Sequence, residues 1–231
     1  MRKKNNPDLP PVVAVDGPSG VGKGMVTRHI AQSLKWHRLD SGALYRILAL
    51  AAKERGTSLK DFDAVAAIAP LLEIRFVGTT EKDEGIMVNG ANVTRRVRSE
   101  EAGGLASQIA AAPQVRQALL ERQRRFRELP GLVADGRDMG TVVFPDAFLK
   151  IFLDASPEER AERRLKQLSQ VGVTARIATL CEEIRARDDR DRTRAVAPLR
   201  PADDAILVDT TGLSPQAVQA RVDQLLRDRA L

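Results

Sequence analysis

The stretch Gly17-Pro18-Ser19-Gly20-Val21-Gly22-Lys23-Gly24 decides the fold of this chain. It follows the apolar run Val12-Val13-Ala14-Val15 and precedes a helical segment that begins at Met25. A strand, a glycine-rich turn and a helix in this order form a phosphate cradle, because backbone N–H groups and the helix N-terminus face the anion while Lys23 adds a positive charge. A turn that binds nothing is the alternative, and the clear strand and helix on either side make it the weaker one.

The residue after the lysine narrows the class of protein. Most phosphate-binding loops carry there a Ser or Thr that holds magnesium, whereas this chain has Gly24. The pattern therefore points away from GTPases and motor ATPases and towards small-molecule kinases. Without that hydroxyl, we expect Mg²⁺ to be held mainly by phosphate oxygens and waters, with no dedicated protein ligand.

The composition is that of one globular domain. The 231 residues are 43% hydrophobic and 29% charged, which allows a buried core and is unlike a disordered chain. The formal net charge of +6 implies an anionic partner, and nucleic acid is one candidate. Aromatic residues make up only 3% of the chain, however, so side chains that stack on bases are scarce. Much of the positive charge is arginine interleaved with aspartate, which favours small phosphorylated ligands over nucleic acid.

Cysteine usage and apolar patterning bear on the compartment. Cys181 is the only cysteine, which excludes an internal disulfide and a cysteine-based zinc site and fits a reducing compartment. No apolar run approaches the ~20 residues of a membrane span, and no secretory signal follows the basic start. We therefore expect a cytoplasmic protein without membrane contact, with a mobile tail at residues 1–10 and a single domain at 11–231.

Short apolar runs alternate with longer helical stretches such as Ala43–Arg55 and Pro113–Leu129. Runs that are apolar throughout are typical of parallel strands covered on both faces. The alternation predicts an α/β fold with a doubly wound, five-stranded parallel sheet, whose ligands bind at the carboxyl ends of the strands. The predicted strands are Val12–Val15, His37–Leu39, Leu132–Ala134, Leu149–Leu153 and Ile206–Val208.

One region interrupts this alternation. Glu73–Val77, Ile86–Val88 and Ala91–Val93 are short apolar segments, and Asn89-Gly90 between the last two is a strong hairpin signal. We interpret residues 65–104 as a small antiparallel β insertion on the α/β core. The pattern alone does not distinguish a surface decoration from a substrate-binding subdomain.

A basic helix is predicted at Pro157–Leu168, with Ser156 at its N-terminus. Arg160, Arg163 and Arg164 share a face of this helix by their spacing. A solvated face is one interpretation. The other is a lid, at about residues 155–170, that brings cations over a transferring phosphoryl group.

Polar clusters follow two of the predicted strands. Asp40-Ser41-Gly42 opens the helix that carries Arg46, and this arrangement fits either a second phosphate site or an ordinary helix cap. Asp135-Gly136-Arg137-Asp138-Met139-Gly140 follows the strand at Leu132. Two aspartates and an arginine between glycines are poorly explained by packing. Arg137 is therefore a candidate phosphate ligand and Asp138 a candidate acceptor for a base amine, with a salt-bridged turn as the alternative.

The densest charge run is Arg185–Arg194. On a helix, Arg187, Asp191 and Arg194 lie on one face. Charge runs are usually solvated helix faces. A bound polyphosphate would nevertheless relieve the excess of arginine in this one.

Together these segments closely resemble the bacterial cytidylate kinases, in the nucleoside monophosphate kinase group. The matching segments are AVDGPSGVGKG (14–24), LDSGALYR (39–46), LEIRFV (72–77), the stretch from ASQIAAAPQ to TVVFPDA (106–147), KIFLDASPEERAERR (150–164) and EIRARDDRDRTRAVAPL (183–199). They follow the order of the family and are spread over nearly the whole chain. The DGRDMGTVVFP and RDDRDRTRAVAPL segments separate this family from adenylate, guanylate and shikimate kinases.

The resemblance implies transfer of the γ-phosphoryl group of ATP to CMP or dCMP by a monomer that uses Mg²⁺. It also implies a kinase core at 11–64, 105–154 and 171–231, with the insertion as a CMP-binding subdomain. The implied ATP-binding residues are Gly17, Pro18, Ser19, Gly20, Val21, Gly22, Lys23, Gly24 and Met25. The implied CMP-binding residues are Ser41, Arg46, Ser107, Arg116, Arg137, Asp138, Arg187, Asp191 and Arg194. The catalytic cations under this hypothesis are Lys23, Arg137 and Arg194, with Arg160 and Arg164 from the lid.

Two points stay open at this level. Many relatives have Thr where this chain has Met25, so a hydroxyl contact is expected to be missing. The alternatives to a CMP kinase are a kinase for another monophosphate or a small alcohol, and a nucleic-acid-binding module that uses the basic surface.

Overall fold

The structure, a computed structural model, describes residues 9–78, 84–170 and 172–229. The strands are β1 (Val12–Asp16), β2 (His37–Asp40), β3 (Ile74–Val77), β4 (Gly85–Val88), β5 (Ala91–Asn92), β6 (Leu132–Gly136), β7 (Leu149–Asp154) and β8 (Ile206–Asp209). The α-helices are α1 (Lys23–Leu34), α2 (Ser41–Glu54), α3 (Phe62–Ile68), α4 (Thr94–Val97), α5 (Glu100–Ile109), α6 (Pro113–Arg125), α7 (Pro157–Gln170), α8 (Ile177–Thr193) and α9 (Pro215–Asp228). A 3₁₀ turn spans Ala69–Leu71, and a π-helical turn spans Met139–Val143.

Five of the strands form the predicted parallel sheet, in the order β2-β6-β1-β7-β8. β1 is central, and all five of its residues are buried. Its side chains alternate between two cores: Val12 and Ala14 pack with α2, α3 and α6, whereas Val13 and Val15 pack with α1 and α9. Helices therefore cover both faces of the sheet, which confirms the doubly wound α/β fold.

The order of strands places β2 and β6 on one side of β1, and β7 and β8 on the other. The strand order therefore reverses at β1. The loop after β1 therefore opens at the topological switch point, where open α/β sheets bind their ligands. The loops after β2 and β6 begin at the same edge of the sheet, because these strands are parallel to β1. This placement brings the three polar segments predicted from sequence to one side of the sheet.

The predicted insertion is a three-stranded antiparallel sheet in the order β3-β4-β5. Asn89 and Gly90 both have positive φ, 49° and 82°, as a tight two-residue hairpin turn requires. Ile74 and Ile86 are buried in the core that also holds α2 and α6. The small sheet is therefore packed onto the α/β core, and it is followed by α4 and α5.

The boundaries of two predicted helices can be compared with the structure. α6 ends at Arg125 and not at Leu129, because Leu129 precedes Pro130 and is disfavoured in helical backbone. α7 starts at Pro157 as predicted, and Ser156 Oγ accepts from the Glu159 N–H at 3.2 Å.

The predicted N-terminal tail falls mostly outside the described residues. Within it, the Pro10 carbonyl accepts from Arg127 Nε at 2.6 Å, so that residue is tied to the domain. No helix in the described parts of the chain has the length and apolarity to cross a bilayer.

Candidate active site

The loop after β1 has the backbone that its glycines predict. Gly22 precedes α1 with φ +93°, a conformation that L side chains rarely adopt. A Cβ on Gly17 would lie 2.2 Å from the Leu153 carbonyl oxygen, so the loop passes against β7 at a distance that only glycine allows. Lys23, in the first turn of α1, curls back so that its Nζ donates to the Pro18 carbonyl at 2.7 Å. The N–H groups of the first turn and the ammonium thus surround one small volume.

The charge of Lys23 is poorly solvated in that volume. Burial lowers the pKa of this lysine well below its usual range, and the like charge of Arg137 lowers it further. Asp135 opposes the shift. A polyphosphate beside Lys23 would supply the missing counter-charge, so anion binding and lysine protonation favour one another.

A cavity of about 470 Å³ opens over the loop, at the carboxyl ends of β1, β2 and β6. Every residue predicted to bind CMP contributes to its wall. The loop supplies the floor through Ser19, Gly20, Gly22, Lys23, Gly24 and Met25, while Gly17, Pro18 and Val21 do not line the cavity. The loop residues thus form the predicted donor site, which we call the donor wall. The residues predicted to bind CMP form the predicted acceptor site, which we call the acceptor wall.

A second cavity of about 640 Å³ lies between the small sheet and α6, lined by Trp36, Phe76 and Phe126 among others. It is larger, but it contains neither the glycine-rich loop nor the predicted acceptor residues. Size alone therefore does not identify the site, and the phosphate-binding geometry does.

The acceptor wall holds a buried ion pair between Arg116 on α6 and Asp138 after β6. Arg116 also donates to the Ala110 carbonyl at 3.1 Å, and its guanidinium lies 5.8 Å from the centre of the Tyr45 ring. Burial raises the pKa of Asp138, although Arg116 opposes that shift. Burial also raises the pKa of Tyr45 to about 12, so its hydroxyl keeps its proton. This end of the cavity offers directed polar groups in an apolar setting, which suits recognition of a base.

The opposite end of the acceptor wall is strongly cationic. Arg137 Nε donates to Asp191 at 2.9 Å. Although burial raises the pKa of Asp191, the adjacent Arg137 leaves it below its ordinary value. Burial, followed by the like charge of Arg137, lowers the pKa of Arg187 to about 10. Arg194 donates from Nε to the Ala197 carbonyl at 2.5 Å, and its buried Nη2 has no hydrogen-bond partner among the described residues. The arginines exceed the carboxylates that face them, as expected for a phosphate site.

Ser41 and Asp40 have partners within the protein. Asp40 caps α2 by accepting from the Ala43 N–H at 3.0 Å, which is the ordinary capping role. Ser41 Oγ accepts from Gln123 Nε2 at 2.7 Å. Gln123 is buried on α6, and nothing in the sequence singled it out. Only the packing of α6 against α2 brings the two residues together.

Two aspartates at strand ends were not assigned a role from sequence. Asp16, the last residue of β1, accepts from the backbone N–H groups of Met139 and Gly140, both at 2.8 Å. Burial raises its pKa to about 7, against the effect of those two hydrogen bonds. Asp135, at the end of β6, lines the cavity, and burial raises its pKa as well. The signal for both was available, since a carboxylate at the end of an otherwise apolar strand is not explained by packing.

The three arginines of the predicted lid have different partners. Arg160 is fully buried, and its guanidinium pairs with Asp188 on α8. Arg163 donates to Glu159 and to Thr210. The predicted shared face of α7 is thus divided among different partners, and these two arginines do not line the cavity.

Arg164, also on α7, pairs with Glu100 at the start of α5, so this ion pair joins α7 to the helix that follows α4. Burial, followed by the nearby charge of Arg46, lowers its pKa. Gln167, one turn further along α7, lines the cavity. Of the lid arginines, Arg164 thus lies nearest to the acceptor arginines.

A buried lysine in a glycine-rich loop, placed at the switch point of a parallel sheet and facing an arginine-rich pocket, defines a P-loop kinase. Comparison with known proteins identifies the group. The family model for cytidylate kinase matches residues 13–228, and the chain belongs to that family. It is 52% identical to the cytidylate kinases of Shigella sonnei strain Ss046 and Escherichia coli strain K12 over 221 residues, which cover 96% of this chain and 97% of each relative. The resemblance drawn from the sequence motifs is confirmed.

Solved structures are similar to the chain only at low identity and low TM-score. A gluconokinase from Sinorhizobium meliloti 1021 is 16% identical with a TM-score of 0.43, over 95% of each chain. A shikimate kinase from Bacteroides thetaiotaomicron is 12% identical with a TM-score of 0.44, over 96% of this chain and 99% of the other. These distant likenesses carry no information on the substrate.

Proposed function

We propose that the protein transfers the γ-phosphoryl group of ATP to CMP or dCMP, giving ADP and the corresponding diphosphate. The observation that carries the proposal is one cavity with two different walls: the phosphate-binding loop with Lys23 on one side, and every predicted CMP residue on the other. Family membership supports the same activity.

The donor wall binds ATP phosphates through the backbone of residues 17–25 and the Lys23 ammonium. The roles within the acceptor wall are those that the family resemblance implies. Ser107, Arg116 and Asp138 face the cytosine, and Arg187 and Asp191 hold the sugar. Ser41 lies at the same wall, and Arg46, Arg137 and Arg194 hold the CMP phosphate.

The reaction needs alignment and charge neutralisation more than covalent help. An oxygen of the CMP phosphate forms a bond to the γ-phosphorus, the bond from that phosphorus to the β,γ-bridging oxygen breaks, and ADP leaves with the electron pair. That attacking oxygen is already anionic, so no general base is required. Lys23, Arg137 and Arg194 neutralise the charge spread over the transferred group and hold the reactants in line.

The lid cation in this proposal is Arg164. Leaving Glu100 would free its guanidinium to approach the phosphoryl group. The Arg160 guanidinium is already bonded to Asp188 and to two carbonyls, so it is not assigned to the phosphoryl group here.

A magnesium ion fits this site as a companion of the nucleotide. No group of three or more metal-ligating side chains occurs among the described residues. The Asp135 carboxylate nevertheless lines the cavity beside Lys23, and Asp135 Oδ2 lies 4.0 Å from where a Cβ on Gly24 would be. Asp135 is thus suited to accept hydrogen bonds from metal-bound waters. When bound, the ion would screen the charge of the β- and γ-phosphates.

The deciding experiment is an ATP-coupled assay over CMP, dCMP, UMP, AMP and shikimate. We expect turnover with CMP and dCMP at least tenfold faster than with the others, as a pocket that hydrogen-bonds its base should discriminate. Preference for a different acceptor would refute the substrate. Binding of DNA or RNA without any nucleotide turnover would instead favour the nucleic-acid alternative.

Lys23→Ala tests the donor wall in the same assay. We expect kcat to fall by about two to three orders of magnitude, the range seen when a preorganised charge-stabilising group is removed. Lys53→Ala is the matched control, because Lys53 is an exposed lysine on α2 whose partner is Glu101, outside the cavity. Near-normal turnover in Lys23→Ala would contradict the assignment of the loop.

A monomeric, cytoplasmic enzyme is part of the proposal. The family resemblance is what implies the monomer. Light scattering during gel filtration checks the oligomeric state, and fractionation of the native host checks the location. A stable dimer at assay concentration would contradict the monomer.

A further inference from the structure

Arg160 is the largest side chain in the described chain that is less than 2% exposed. It lies in the second turn of α7, where the sequence predicts a mobile cation of the lid. Its guanidinium donates from Nε to the Ala155 carbonyl at 3.0 Å and from Nη1 to Asp188 Oδ1 at 3.0 Å, and Nη2 bonds the other Asp188 oxygen. This is the two-pronged geometry of a strong arginine–carboxylate pair.

The same guanidinium reaches the phosphate-binding loop. Arg160 Nη1 also donates to the Ser19 carbonyl at 3.1 Å. A Cβ built on Gly20 would lie 3.3 Å from the Arg160 Cβ, so the stem of the arginine packs against the crest of the loop. The loop residues that face the ATP phosphates are thus supported from outside the cavity by one side chain.

Asp188 connects this support to the acceptor wall. It is 2% exposed and lies on α8, directly after Arg187 and one turn before Asp191, both of which line the cavity. A buried carboxylate held on both oxygens by one guanidinium is costly to separate, since separation leaves two unpaired charges. Arg160 is therefore not free to move to a substrate phosphate.

We propose that Arg160, held by Asp188, is a positioning residue for the donor loop and not a cation that contacts the transferred phosphoryl group. It fixes the Ser19 carbonyl and the crest at Gly20, and so presets the loop N–H groups that bind ATP. Asp188 belongs to the helix that also carries Arg187 and Asp191, and the pair anchors the donor loop to that helix. This inference rests on the proposed kinase function for its kinetic test.

The test compares Arg160→Met, Asp188→Asn and the double variant. Met keeps most of the stem that packs on Gly20 and removes the guanidinium, and Asn keeps the shape of Asp188. The matched control is Arg185→Met, which removes the exposed Arg185–Glu158 ion pair between the same two helices, α7 and α8. All assays run well below the melting temperature of each variant.

We expect Arg160→Met and Asp188→Asn each to raise the KM for ATP and the Kd of a fluorescent ATP analogue about tenfold, the size of one charge-assisted hydrogen bond. The KM for CMP in Arg160→Met should stay within about twofold, since that side chain does not face the acceptor wall. The double variant should resemble the single ones, because both remove the same unit. Arg185→Met should match the wild type.

Three outcomes would overturn the proposal. One is an unchanged KM for ATP in both variants even though their melting temperatures fall, which would make the pair purely structural. Another is a large loss of kcat at unchanged ATP affinity, which would restore Arg160 as a catalytic cation. The third is additive effects in the double variant. If Arg160→Met does not fold, Asp188→Asn and the analogue Kd carry the same test. Failure of the CMP kinase assignment would appear separately, as a wild type that binds the analogue and does not phosphorylate CMP.

Discussion

The buried carboxyl of Asp16 predicts that stability depends on pH in a specific direction. This residue ends β1, directly before the phosphate-binding loop, and its oxygens accept from the backbone N–H groups of Met139 and Gly140. Its pKa is raised from 3.8 to about 7, first by burial. Between these two values the folded protein holds a proton that the unfolded chain has released. Raising the pH through this window therefore destabilises the wild type.

The magnitude follows from the width of the window. Each pH unit between the two pKa values changes the free energy of unfolding by about 1.4 kcal/mol. From pH 5 to pH 7 the Asp16 contribution therefore falls by about 2 kcal/mol, and it levels off above about pH 8, where the folded protein has also released the proton. For a chain of this length that corresponds to roughly 4 to 8 °C in melting temperature.

Asp16→Asn removes the titration and keeps one acceptor oxygen. We expect the melting temperature of the variant minus that of the wild type to increase by several degrees between pH 5 and pH 8. The loss of the second acceptor oxygen changes this difference by the same amount at every pH. Calorimetry or circular dichroism at each pH measures it. Asp209→Asn is the control, because the pKa of Asp209 is lowered by Thr211 and its titration lies below the window. A pH-independent difference for Asp16→Asn would refute the reasoning.

Two further predictions concern the site and the backbone. Asp138→Ala should weaken CMP binding at least tenfold with little change in affinity for an ATP analogue, and should lower the free energy of unfolding by about 3 to 5 kcal/mol by leaving a buried arginine unpaired. Glu121→Ala breaks an exposed pair on α6, the helix that carries Arg116, and should change neither quantity. Calorimetry measures both the CMP affinity and the free energy of unfolding. Unchanged CMP affinity in Asp138→Ala would remove Asp138 from the base pocket. Gly17→Ala should abolish ATP binding or folding, because its Cβ would meet a carbonyl oxygen, whereas Gly104→Ala in α5 faces open space and should stabilise the protein by about 0.5 to 1 kcal/mol. Equal melting temperatures of the two glycine variants would contradict this comparison.

Much of the fold was predictable because its signals are local. Mainly apolar runs bounded by polar turns marked four of the five strands of the large sheet, the exception being β2, where only Leu39 is buried. Asn89-Gly90 marked the hairpin through its backbone preferences. Boundaries were less predictable. α6 stops at Arg125, before the predicted Leu129. The residues beyond it bond distant segments instead, since Arg127 donates to the Pro10 carbonyl and the Leu129 carbonyl bonds His37.

The candidate site was likewise predictable where its signals are local, and not where it depends on contacts between distant residues. Every residue predicted to bind CMP, and six of the nine predicted loop residues, line one cavity. The loop, Ser41, Arg137 and Asp138 meet there because strand ends in a parallel sheet lie at one edge. The sequence did not reveal Gln123 against Ser41, or Asp16 against the turn after Asp138. Those contacts join residues far apart in the chain, and no spacing rule on a single helix or strand encodes them.

The sequence by itself determined the phosphate-binding loop, the parallel sheet and the family, because each depends on residue types at short, fixed spacing. Only the tertiary structure decided what the lid arginines do. Arg160 and Arg164 are one turn apart and chemically identical, yet packing buries the first against Asp188 and the donor loop and leaves the second beside the acceptor wall. The burial and partners of a charge, which set its free energy, are properties of the assembled fold.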